Sequence, residues 1–97
     1  MPTYVVLSNF TEQGIRNIKE TPKRAEAFRA LAKNHGCTVK EILWTHGHYD
    51  VVSIVDARDE TSMSALGLSV AKLGNIRSHT LRAFSADEIG KILDKVS

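Results

Sequence analysis

The residues best equipped for chemistry lie together near the middle of the chain, in His46-Gly47-His48-Tyr49-Asp50. Imidazole, phenol and carboxylate groups are the common general acids and bases, and imidazole and carboxylate also bind metals. Two histidines two apart on an extended strand could share a metal ion. Gly47 works against that. An apolar run, Val39 to Thr45, leads into the segment, and another, Val51 to Val55, leads out. Gly47-His48 is then the natural two-residue turn of a β-hairpin, with glycine supplying the positive φ of a type II′ turn. The turn breaks the histidine spacing, and no second ligand pair follows at a recognisable interval. The expectation is no metal, no haem and no other cofactor. What remains is a small-ligand surface of Trp44, His46, His48, Tyr49 and Asp50, with His46 the one general base to name if the chain is catalytic. The plainer reading is that Asp50 accepts backbone N–H groups or pairs with an arginine of the last strand, and that Tyr49 packs.

Other candidates are weaker. Lys23 and Arg24 sit in the first turn of a helix, against its dipole. They are either solvated partners of Glu20 or Glu26, or an anion-facing rim with Arg16 and Lys19. Cys37 follows a helix end, where nothing lowers a thiol pKa, so it reads as inert. His79 and Arg82 lie three apart on a strand and therefore face opposite ways.

The elements that must position these residues follow from hydrophobic period and punctuation. Thr3 to Phe10 reads as a strand apolar on both faces, and Thr11 to Glu20 as a polar connection with one helical turn. Thr21-Pro22 opens a helix, threonine as cap and proline in the first position. Its buried stripe is Ala25, Phe28, Leu31 and Ala32, and Gly36 ends it. After the hairpin, Asp56 to Asp59 leaves the sheet. Met63, Leu66, Val70 and Leu73 mark a second helix over Glu60 to Leu73, stopped by Gly74-Asn75. Asn75 to Phe84 is the last strand. Ser85 to Glu88 is a capping box that starts a short helix with Ile89, Ile92, Leu93 and Val96 on one side.

The order β-α-β-β-α-β with a short C-terminal helix is the split βαβ, or ferredoxin-like, arrangement of an α+β protein. Ninety-seven residues make one domain, 1–97. The central strands are apolar on both faces, and the helices suffice for one. A second copy of the chain would bury the other, giving a homodimer in the form of a dimeric α+β barrel. Within the hairpin, Leu43, Val52, Ile54 and Val39 are assigned to the helices, and Ile42, Trp44, His46 and Tyr49 to the barrel interior. The net charge of +2, with both signs interleaved, argues against a nucleic-acid partner. No run approaches the length of a membrane span. One cysteine and no leader-like start suggest a cytoplasmic protein.

Over nearly its whole length the chain resembles the GYD-domain proteins. The resemblance rests on Thr11-Glu12-Gln13-Gly14-Ile15, Thr21-Pro22 with Arg24, Gly47-His48-Tyr49-Asp50, Gly74-Asn75-Ile76-Arg77 and Thr80-Leu81-Arg82-Ala83-Phe84. It implies a dimeric ferredoxin-like fold and no particular activity. The hairpin is also similar to the Gly-x-Tyr-Asp turn of the amino-acid-sensing domains of leucine-responsive regulators, which bind small effectors at subunit interfaces. Two functions follow as expectations. One is a non-catalytic module that binds a small ligand or serves regulation. The other is a cofactor-independent oxygenase, cyclase or isomerase that uses the barrel interior.

Overall fold

The computed structural model describes residues 1–97. Its elements are β1 (Thr3–Phe10), α1 (Glu12–Arg16), α2 (Thr21–Asn34), β2 (Cys37–Trp44), β3 (Val51–Ala57), α3 (Glu60–Ala71), β4 (Ile76–Ala83) and α4 (Ala86–Leu93), with a single 3-10 turn at Ile18–Glu20. The four strands form one antiparallel sheet in the order β2-β3-β1-β4. This is the α+β, ferredoxin-like architecture expected from the element order.

Local signals act largely as read. Ser85 accepts the Glu88 N–H while the Glu88 carboxylate accepts the Ser85 N–H, completing the capping box. Asp59, whose side chain accepts the Ser62 N–H at 2.7 Å, caps α3. That hydrogen bond holds its carboxyl below the usual carboxylate range. Thr21 departs from its expected role. It lies inside α2, behind a Glu20 cap that makes no side-chain bond, and its hydroxyl instead accepts the Trp44 indole N–H at 3.0 Å. β3 also outruns its expected end. Ala57 N–H donates to the Pro2 carbonyl and so stays in the sheet.

The helices cover one face. Tyr4, Val6, Val39, Val55, Ala57, Met63 and Leu66 are buried there with Ala32 and Cys37. Burial pushes the Cys37 thiol above its ordinary value, which suits an inert side chain. Cross-strand pairing fixes which residues share each face. On the helix side, Trp44, Val51, Ser8 and Ser78 form one row across the sheet, and Ile42, Ser53, Val6 and Thr80 the next. On the open side the rows are Leu43, Val52, Leu7 and His79, then Glu41, Ile54, Val5 and Leu81.

These rows overturn the face assignment expected for the hairpin. Ile42 and Trp44 point to the helices, while Leu43, Val52 and Ile54 form the open face. Val39 alone keeps its expected side, because a bulge lies between Val39 and Glu41. One extra residue there shifts the alternation by one, so Val39 stays on the helix side while Leu43 is on the open side.

Candidate functional site

The hairpin loop is wider than a two-residue turn. Thr45 N–H donates to the Asp50 carbonyl at 2.9 Å, leaving His46 to Tyr49 outside the ladder. Gly47 has φ 113°, the positive value expected of it. Asp50 sets the width of the loop. Its N–H donates to the Ser8 carbonyl at 2.9 Å, and its Oδ2 accepts the Phe10 N–H at 2.9 Å, which ties it to β1. Tyr49 is thereby carried over the open face, where its hydroxyl lies 3.4 Å from His79 Nδ1 and the rings meet edge to face at 5.9 Å. It therefore does not pair with His46. His46 and His48 are exposed at the tip. No three His, Cys, Asp or Glu side chains gather where they could hold a metal ion.

The five hairpin residues thus separate. Trp44 lies on the helix side, Tyr49 joins His79 on the open side, the histidines project from the tip, and Asp50 binds backbone. Asp50→Ala should lower stability by about 1.5–3 kcal/mol, the worth of a hydrogen bond to a charged acceptor. Asp50→Asn, which keeps an oxygen for the Phe10 N–H, should lose less. Urea melts of the two variants check the order.

A second constellation links distant parts of the chain. Thr11 donates its hydroxyl to the Gly74 carbonyl at 2.6 Å and accepts the Gly14 N–H at 3.1 Å. The Gln13 amide donates to the Leu73 carbonyl at 3.0 Å and to Asn75 Oδ1 at 2.9 Å. Arg24 donates to the carbonyls of Asn17 at 2.9 Å and Gly14 at 3.3 Å. α1 is therefore pinned to the turn after α3 and to the start of α2. The same region holds three of the four residues of the basic rim. Arg24 ties backbone together, Arg16 pairs with Glu12 at 2.9 Å, and Lys23 lies 3.8 Å from Glu20.

The third feature is a cavity of about 180 Å³ between the helices and the sheet. Phe28, Leu31, Met63, Leu66 and Val70 form its roof. Its floor is the two helix-side rows, in which Ser8, Ser53, Ser78 and Thr80 stand where aliphatic side chains would ordinarily fill the space. Ser8 and Ser78 share a hydrogen bond at 2.9 Å. The sequence reading missed these residues. The available signal was a serine at alternate positions of otherwise apolar strands, after Val6 and between Val51 and Val55.

The blocks held together by Thr11, Gly14, Arg24 and Asn75 are those that carried the resemblance, and a model of the GYD domain matches residues 4–93. The chain belongs to the GYD-domain family. A relative in Thermus thermophilus, named glutamine synthetase and cystathionine beta-lyase binding protein, is 32% identical over 94 residues, covering 95% of this chain and 99% of the relative. Among solved structures, FFRP-DM1 superposes with a TM-score of 0.64 at 19% identity, covering 87% of this chain and 100% of that one. TTHA0845, also from Thermus thermophilus, gives 0.58 at 24% identity, over 89% and 96%. The two structures bear on the fold of this GYD domain alone. No helix of it is long and apolar enough to cross a membrane.

Proposed function

We propose that this GYD domain, acting as a single domain over residues 1–97, is a homodimeric, non-catalytic binding module whose partner is a cytoplasmic metabolic enzyme. The observation that carries the reading is the 32% identical relative, which matches from end to end and is named for binding glutamine synthetase and cystathionine beta-lyase. The architecture supports it. The open face presents Val5, Leu7, Val52 and Ile54 across its two central strands, with Leu43 and Leu81 exposed at 52% and 48% on the flanks. An apolar sheet face of this kind calls for a second copy of the chain. On this reading Tyr49 and His79 sit at the rim of the subunit contact. His46 and His48 project from the hairpin tip as the polar contacts offered to a partner.

Two measurements test the proposal. Light scattering at micromolar concentration should give twice the chain mass, and a folded monomer would refute the dimer. The immobilised protein should retain purified glutamine synthetase or cystathionine beta-lyase from the same organism. Failure to retain either, with the dimer intact, would remove those two partners.

A further inference from the structure

We infer that the cavity between the helices and the sheet is a binding site for one uncharged aromatic molecule, about the size of a substituted benzene and carrying a single hydroxyl. The inference deepens the proposed binding role by giving it a ligand. It lies within one subunit, on the far side of the sheet from the open face.

Size is the first argument. The cavity measures about 180 Å³. An apolar cavity of about 150 Å³ stays dry and accepts benzene. The hydroxyl follows from Ser53. This residue is 4% exposed and lines the cavity, and its hydroxyl has no hydrogen-bond partner in the chain. No side-chain oxygen or nitrogen is sealed from both partner and open space. The Ser53 hydroxyl therefore faces the cavity, and a buried polar group of this kind is normally matched.

The lining holds no carboxylate for a cation. Its one charged side chain is Arg24, whose guanidinium donates to the Asn17 and Gly14 carbonyls. An anion would give up its hydration against a lining that is mostly hydrophobic and whose guanidinium already serves two backbone carbonyls. Access is also visible. Ser78 and Thr80 are exposed and line the cavity, which gives a passage to solvent beside α3, where Gly67 also lines it. A side chain at position 67 would stand in the passage, and a Cβ there meets nothing within 4 Å.

The test is an amide-resolved NMR titration of the intact protein with p-cresol, toluene and benzoate. p-Cresol should produce saturable shifts at Ser53, Met63 and Ile76. Toluene should bind the same residues at least tenfold more weakly, and benzoate should leave them unmoved. Ser53→Ala should bring p-cresol down to the affinity of toluene. Ser53→Leu fills the cavity and Gly67→Leu closes the passage, and both should lose p-cresol binding while keeping the wild-type mass. Gly67→Leu also favours its helix, so it guards against a variant that merely misfolds. Absence of saturable shifts in the folded wild type would overturn the site, as would shifts centred on His79 and Leu81 or full binding by both leucine variants. Equal affinity for toluene would overturn the hydroxyl, and preference for benzoate would overturn the uncharged class. Mass measured on the same samples separates these outcomes from any failure of the dimer.

Discussion

Gly14→Ala should lower the melting temperature by on the order of 15 °C, although it adds a single methyl group. Gly14 is buried in α1, and a Cβ built on it would lie 2.1 Å from the Asn75 carbonyl oxygen. Backbone stands on both sides of that contact, so no flexible side chain can yield. α1 must move away from the turn after α3, and three sets of bonds lengthen together: Thr11 to Gly74, Gln13 to Asn75 and Arg24 to Gly14. Overpacking costs about 1–3 kcal/mol, and bonds that lengthen without breaking lose a fraction of their worth of about 1 kcal/mol each, so a loss of about 3 kcal/mol is expected. In a domain of this size each kcal/mol is worth about 4–8 °C. Differential scanning calorimetry is the check. A shift under about 3 °C would mean that α1 does not clamp the fold. Thr11→Ala, which removes bonds without a clash, should fall between the variant and the wild type.

That interlock marks a limit of what the sequence discloses. Thr11 to Glu20 reads as a polar connection with one helical turn, because nothing in its composition reports a backbone contact with residue 75. A glycine forced by close approach looks like a glycine in a loop. Elements governed by local rules were legible: β1 from Thr3 to Phe10, the capping box at Ser85, the order of strands and helices, and positive φ at Gly47. Each is read from residues close together in the chain.

The faces of the hairpin were not legible, for a physical reason. Period two tells which residues share a face only while the ladder is regular, and the bulge after Val39 resets the count without a glycine or proline to announce it. Trp44 and Leu43 lie on the turn side of the bulge, and their side was misread for another reason: the purely aliphatic face of the hairpin is the open one, not the one under the helices. The same error hid the cavity. With Trp44 and Ile42 assigned to the barrel interior, the serines of β1, β3 and β4 had no reason to be considered together. They meet only through long-range pairing, Val6 with Ser53 and Ser8 with Ser78.

Ile54→Asp should convert the protein to a folded monomer. Ile54 lies at the centre of the open face, between Val5 of β1 and Glu41 of β2, and takes no part in the core beneath the helices. Within one subunit the new carboxylate can reach water, so the sheet should keep its spectrum. In the proposed homodimer two-fold symmetry places the substitution in the interface twice. Two desolvated groups at about 2 kcal/mol each amount to about 4 kcal/mol, which weakens association on the order of a thousandfold. Sedimentation equilibrium across a range of concentration should show the monomer mass where the wild type is dimeric. Leu68→Asp is the control. Leu68 is 72% exposed on α3, on the opposite side of the sheet, and should leave the mass unchanged. If Ile54→Asp stays dimeric, the open face is not the contact. The exposed apolar side of α4, with Ile89 and Leu93, would then be the surface to change next. p-Cresol binding should survive Ile54→Asp, because the cavity lies inside each subunit and its floor is the other side of the same strands.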